Sequence, residues 1–412
     1  MKNLLLIGHD ANRAGAQLVL LQLMRLLSAE GVQMRLLLGE GGPLLPDYEA
    51  LCPVTIWPEP ARYVAGPLAD KVLSKLRLWS RLHNRQVVAQ QRLIRERLGL
   101  ASVDLVLVNT VTSSRWFDQL AIPAQTPVVT FVHELAMSVR IYTQPDELKR
   151  LLSRTNHLLA VSRATADYYV REHGFDPARI TLFTLIDTPA LERSVTEAGH
   201  GPNVLTTLGI PQNAVVVGGC GNAEWRKGND LFVTMARQVI GRVGVDAGVD
   251  TADVDATRSD APAVHFVWVG VPPGPLRDDL LLDIQKSGLA GRVHLVPPTP
   301  DVLRYMHRFA VFVLCSREDP YPLVVLEAGL SGVPVVCFAD AGGSPELIET
   351  DGGYVVPYLD MDALTNRVVE LIEQPARRRQ MGERLRAKIG ERHPAHQSVQ
   401  TLLSLFNQLA PE

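Results

Sequence analysis

Cysteine is scarce. Cys52, Cys220, Cys315 and Cys337 are the only four in 412 residues, and no two stand as Cys-x-x-Cys. That excludes a disulfide scaffold and the common zinc spacings. It implies reduced thiols, as in a cytoplasmic protein. Long apolar runs are missing as well, and none approaches the ~18 residues of a membrane span. The apolar opening, residues 1–8, is too short for a secretory leader and reads as a first strand. Net charge is only -3, so no global basic field marks a nucleic-acid binder. Neither of the first strand-to-helix turns reads Gly-x-Gly-x-x-Gly, which argues against a NAD-type dinucleotide site. What remains is an ordinary globular composition, 46% hydrophobic and 21% charged, long enough for two or three domains.

Buried-strand patterns alternate with helical ones. In the first half, strands are expected at 4–7, 34–38, 104–108, 128–132, 157–161 and 180–183, with the clearest helices at 15–30 and 164–173. In the second half, strands are expected at 215–218, 265–269, 293–296, 311–314, 335–338 and 354–356. Such alternation predicts an α/β chain with parallel, doubly wound sheets. Between the halves the pattern lapses into Thr, Pro, Glu, Gly and His over 187–211, which reads as an interdomain linker. Residues 244–263 are rich in Asp, Ala, Thr and Gly and read as an inserted surface loop.

The stretch 316–346 carries the most information. A buried strand stops at Ser316-Arg-Glu-Asp319. Pro320 and Pro322 bracket a helix start, and an apolar helix follows with one carboxylate, Glu327. A second strand then ends in Asp340-Ala-Gly-Gly-Ser344. Both turns fall at carboxyl ends of strands, where open α/β sheets bind ligands. Asp319 and Glu327 are eight positions apart, a spacing that in a helix puts both on one side.

This block resembles the Glu-x7-Glu motif of the large retaining glycosyltransferase family of GT-B fold, the group 1 or family 4 type. Asp319 stands where that family usually has its first Glu, Glu327 on the second, and Gly342-Gly343 with Glu346 on the glycine turn and acid that follow. The resemblance implies two Rossmann-like domains facing a cleft. It places an acceptor-side domain over 1–190, a linker at 191–211 and a nucleotide-sugar donor domain over 212–394, with the last helix, 395–412, returning to the first domain. It also implies no metal and no cofactor. The Asp253-Val-Asp255 triplet has Asp-x-Asp spacing but sits in the low-complexity insertion, so it reads as solvated loop.

Residue by residue, the resemblance assigns further roles. Gly221 closes a glycine-rich strand end before a helix, where backbone amides and partial positive charge suit phosphate. Lys227-Gly228 matches the family's Lys-Gly. Asn222 stands where an Arg is common, and Arg226 is a candidate to supply that charge. In the first half, Ala14-Gly15-Ala16 resembles the family's glycine loop. His133 resembles its histidine at a strand end, which contacts the donor sugar, although a hydrogen-bonded core histidine explains it equally well. Asn109-Thr110 ends a neighbouring strand. Catalytic roles are therefore expected for His133, Lys227 and Asp319. Donor contacts are expected from Gly15, Gly221, Asn222, Arg226, Glu327, Gly342 and Gly343.

Residues 71–97 hold eight Lys and Arg and one acid, Glu96, interleaved with leucines, valines and Trp79. Two readings stand: a helix docking on anionic lipid, or a core helix with a solvated basic face. The expected activity is transfer of a hexose-like sugar to a glycan or lipid-linked acceptor, in the cytoplasm or at the inner membrane face. A GT-B epimerase and a donor-binding protein with a degraded site are the rivals.

Overall fold

The computed structural model describes residues 3–57, 68–243, 263–393 and 395–410. Contacts divide the chain into two compact units. The first holds residues up to 161, 165–185 and those from 395 onward. The second holds 162–164 and 186–394.

The first unit is built on seven strands: β1 (Asn3–Gly8), β2 (Gln33–Leu38), β3 (Val54–Ile56), β4 (Leu105–Asn109), β5 (Val128–Val132), β6 (His157–Ala160) and β7 (Ile180–Leu182). Their order is β3-β2-β1-β4-β5-β6-β7, every pair parallel. The central strands are buried along their whole length, β4 and β5 at every residue. That explains their continuous Val/Leu runs, since helices cover both faces of a parallel sheet. The helix Gly15–Ala29 turns Leu20, Leu23, Met24 and Leu27 inward.

The second unit carries β8 (Val215–Cys220), β9 (Val264–Val269), β10 (Val293–Val296), β11 (Val311–Leu314), β12 (Val335–Phe338) and β13 (Gly353–Val356). Their order is β10-β9-β8-β11-β12-β13, again all parallel. Two apolar layers flank this sheet. One is centred on Phe232, Phe266 and Trp268, the other on Phe309, Phe312 and Leu326.

Two expectations need correction. In place of the linker there is a helix, Thr188–Gly199, opened by the Asp187 side chain accepting from the Ala190 amide at 2.9 Å. Val195 is buried in the second unit's core and Leu191 packs beside it. The Thr, Pro, Glu and Gly content of the stretch, not a lack of helical periodicity, is what makes it read as a linker. The second correction concerns Asp319. The helix begins at Leu323, so helical spacing does not place Asp319. It is held instead by a one-residue parallel bridge to Gly342. The insertion 244–263, with Asp253 and Asp255, lies outside the described residues apart from Ala263.

The four cysteines are free thiols; Cys52, Cys315 and Cys337 are buried and Cys220 is partly exposed. No described helix is long and apolar enough to cross a membrane.

Candidate functional site

In the second unit, β8 and β11 are neighbours, so the loops leaving their carboxyl ends meet. The loop after β8 contains a short 3-10 turn, Trp225–Lys227, followed by Gly228 at φ +71° and the helix Asn229–Val243. A Cβ on Gly228 would lie 2.1 Å from the Cys315 carbonyl oxygen. Only glycine lets this loop lie against the end of β11.

That approach brings Lys227 to Asp319. Lys227 Nζ donates to Asp319 Oδ2 at 2.6 Å, and Ser316 Oγ donates to the same oxygen at 3.2 Å. Arg226 lies 3.6 Å from the other carboxylate oxygen. It donates to the Glu318 carbonyl at 3.0 Å and to Glu224 at 2.8 Å. Two cations therefore face two carboxylates, Asp319 and Glu224. Sequence reasoning had named Lys227, Arg226 and Asp319 but not their pairing, and it missed Ser316. It missed Arg317 too. That guanidinium grips Asp230 through two bonds of 2.9 and 2.7 Å and lies over the Trp225 ring, fixing the loop from its outer side.

Asp319 is held from behind by Gly342. The Asp319 amide donates to the Ala341 carbonyl at 2.6 Å. Gly342 sits at φ +144°, where a Cβ would come within 1.8 Å of the Asp319 carbonyl oxygen. Gly343 donates its amide to the Pro320 carbonyl at 3.0 Å. Gly342 and Gly343 thus shape the Asp319 turn through backbone contacts. Gly221 (φ +150°) lies against the Lys227 stem, and Asn222 is exposed.

Glu327 is poorly satisfied, as are the buried Asn229 Nδ2 and Ser344 Oγ, which have no hydrogen-bond partner among the described residues. Glu327 lies on the helix Leu323–Leu330, and its carboxylate has no hydrogen-bond partner among the described residues. Burial alone pushes its pKa up to about 7. The Cys220 thiol lies within electrostatic reach of Glu327 and of Lys227; burial, then the Glu327 charge, push it up to about 12. Glu327 and Lys227 therefore converge on the end of β8.

The raised pKa has a consequence for stability. Between its ordinary value of 4.5 and about 7, Glu327 holds a proton in the folded chain that the unfolded chain has lost. Stability attributable to this group is thus present at low pH and falls as pH rises through that window. We expect Glu327→Gln to stabilise the protein by up to about 3 kcal/mol at pH 8, and to be neutral near pH 4.5. Thermal melts at both pH values check this; an equal effect at both would contradict it.

The first unit has its own polar cluster at the carboxyl ends of β1, β4 and β5. Gln17 Nε2 donates to His9 Nε2 at 2.9 Å and to Asp10 Oδ1 at 2.6 Å. His133 Nε2 lies 3.0 Å from Asn109 Oδ1, while the Asn109 amide nitrogen donates to the Ala16 carbonyl at 3.1 Å. That leaves the Asn109 oxygen as acceptor, so His133 carries its proton on Nε2 and keeps a lone pair on Nδ1. Burial, with His9 nearby, pushes the His133 pKa down to about 3, so the ring is neutral at pH 7. Behind it, buried Glu134 accepts from the His133 amide at 2.9 Å, and burial raises its pKa. Thr110, beside Glu134, sits at φ +69°. That region is unusual for a β-branched residue, and such strain clusters at functional sites. Gly15 opens the helix Gly15–Ala29, which has no side-chain cap, and open space surrounds it.

Comparison with known proteins agrees with this architecture. Residues 13–183 match the family described as Glycosyltransferase Family 4, and residues 214–374 match Glycosyl transferases group 1. The chain thus carries a glycosyltransferase family 4 domain followed by a glycosyl transferases group 1 domain. A D-inositol 3-phosphate glycosyltransferase from Gordonia bronchialis is 26% identical over 266 residues, 63% of this chain and 54% of that protein. The lipopolysaccharide core biosynthesis mannosyltransferase LpcC of Rhizobium leguminosarum bv. viciae is 28% identical over 207 residues, 50% of this chain and 54% of that protein. The chain thus spans about half the length of the curated relatives it matches. Among solved structures, Anabaena HepE in complex with UDP superposes with a TM-score of 0.72 at 19% identity, covering 99% of this chain and 100% of that one. At that identity the likeness shows the fold, two parallel-sheet α/β domains of GT-B type.

Proposed function

We propose that the chain is a glycosyltransferase that takes a hexose-like sugar from a nucleoside diphosphate donor, retains its anomeric configuration, and passes it to a glycan or lipid-linked acceptor. The observation that carries this reading is the Lys227–Asp319–Glu327 arrangement at the strand ends of the second unit. The donor diphosphate displaces Asp319 from Lys227 and takes the charge-assisted contact, with Arg226 second in reach. Glu327, whose carboxylate has no hydrogen-bond partner among the described residues, accepts from the ribose hydroxyls. The solved HepE structures, which hold UDP and UDP-glucose, support choosing a uridine donor first.

No side chain of the second unit is set as a nucleophile in this scheme. The acceptor oxygen bonds to the anomeric carbon as the bond to the diphosphate oxygen breaks. The departing phosphate takes the acceptor proton. Protein cations supply the charge stabilisation, which is the largest single contribution such sites make. In the first unit, neutral His133 offers Nδ1 as an acceptor for a sugar hydroxyl. The scheme gives Lys227 and Arg226 the work a metal ion does elsewhere, so transfer is expected to survive a chelator. A thermal-shift panel of UDP, GDP, ADP and dTDP, followed by nucleotide release with and without acceptors in EDTA, tests the reading. A preferred nucleotide and acceptor-dependent release are expected. Binding without release would favour a degraded donor-binding protein.

The same proposal includes docking on anionic membrane through the helices Leu68–Lys75 and Trp79–Leu98. Leu68, Val72 and Leu76, four residues apart and exposed, form a stripe with Lys71 and Lys75 between them. Trp79 and Val88 are exposed as well. Arg85 and Arg92 are paired with Asp70 and Glu96, whereas Lys71, Lys75, Arg77, Arg81 and Arg97 are exposed. Apolar groups ringed by cations fit a surface of anionic headgroups. Co-sedimentation with anionic vesicles is expected to exceed that with neutral ones and to weaken with salt, as screening shortens to about 8 Å at physiological ionic strength. Equal partitioning, or none, would exclude it.

A further inference from the structure

The opposite end of the second unit's sheet holds an open cavity of about 560 Å³. It is lined where β8 and β11 begin, where the chain leaves the helix Leu323–Leu330 for β12, and where the helix Met361–Glu373 passes to Pro375–Arg392. All of these are amino ends of parallel strands or the helix junction behind them, so the cavity is separate from the Lys227 loop.

Its lining is cationic. Arg308, Arg378 and Arg379 contribute guanidinium groups, Asn213 and Ser331 add neutral polar groups, and no Asp or Glu takes part. None of the three arginines forms an ion pair among the described residues. Arg378 is held in place: its Nη1 donates to the carbonyls of Leu371 and Ile372 at 3.1 and 3.4 Å, the uncapped end of the preceding helix. Its remaining N–H groups are left for another acceptor. Burial, and then its neighbour Arg379, lower its pKa, so a charge of opposite sign is what the group lacks. The 18-residue helix Pro375–Arg392 starts here without a side-chain cap, and its free first-turn amides add positive potential. His307 also lines the cavity, but its Nε2 donates to the Val195 carbonyl at 2.7 Å and fixes the wall.

We infer that this cavity binds a phosphate group. Guanidinium forks match a tetrahedral oxyanion in geometry as well as in charge. The volume lies within the roughly 300–1,000 Å³ of small-molecule sites, so there is room for the body of a phosphate ester as well as for free phosphate. Ser331 ties the cavity to the proposed donor site. Its hydroxyl and its amide both donate to the Glu327 carbonyl, at 2.8 and 3.1 Å. An anion here therefore acts next to the helix that carries Glu327 without competing for Lys227.

Calorimetry on the full chain tests this with three probes at matched ionic strength: glucose 6-phosphate, inorganic phosphate and glucose. The two phosphates are expected to bind and glucose is not. The tighter of the two identifies whether an ester or the free anion is the fitting source. The double variant Arg308→Ala/Arg379→Ala is expected to weaken phosphate binding at least tenfold. Its response to UDP is expected to be unchanged, which separates this site from the proposed donor site. Phosphate binding of equal strength in the double variant, or phosphate binding no tighter than that of glucose, would overturn the inference.

Discussion

Lys227→Ala is expected to lower turnover by on the order of 10²–10³-fold, the loss typical of removing one charge contact to a developing anion. Two effects add. The variant loses a cation from the leaving diphosphate, and it strips Asp319 of its partner. That carboxylate is only 7% exposed and would keep Ser316 at 3.2 Å and Arg226 at 3.6 Å. A poorly compensated buried charge beside the diphosphate repels it. The two effects separate in a double-mutant cycle. Lys227→Ala/Asp319→Ala should bind nucleoside diphosphate more tightly than Lys227→Ala alone, yet stay slow in transfer. Steady-state rates with acceptor and donor in excess give the first number, and direct binding gives the second. Near-normal turnover in the single variant would remove Lys227 from the mechanism.

How much of this could be read from the sequence depended on distance along the chain. The sheets were legible because parallel strands are buried on both faces, so runs such as β4, β5 and β11 are buried at every position and almost wholly apolar. β3 was not read, although β7, equally short and equally without a fully buried residue, was. The helix Thr188–Gly199 was hidden behind polar residues, although Asp187 followed by Thr188-Pro189 carries a helix-start signal. Most of the candidate site residues were named because they follow strand ends; Glu327, inside the helix Leu323–Leu330, was named from its spacing to Asp319. Their partnerships were not. Lys227 and Asp319 are 92 positions apart and meet only because β8 and β11 are adjacent. His133 and Asn109, 24 positions apart, meet at the ends of neighbouring β5 and β4 for the same reason. No local pattern encodes strand order.

The second large effect concerns division of labour between the two carboxylates. The Glu327 carboxylate has no hydrogen-bond partner among the described residues, so once ionised it is open to hydroxyl donors. Two hydrogen bonds to a charged acceptor are worth about 1.5–3 kcal/mol each. Glu327→Ala should therefore weaken nucleoside diphosphate binding by at least about tenfold. Asp319 does the opposite, since it occupies Lys227 at 2.6 Å. Removing it frees the cation. Asp319→Ala should bind nucleoside diphosphate as well as the parent chain or better, while transfer falls because the sugar-side carboxylate is gone.

Calorimetric titration of UDP into the parent chain, Glu327→Ala and Asp319→Ala separates the two carboxylates. Weaker binding is expected in Glu327→Ala, and unchanged or tighter binding in Asp319→Ala. Loss of UDP binding in Asp319→Ala with retention in Glu327→Ala would contradict this division of roles.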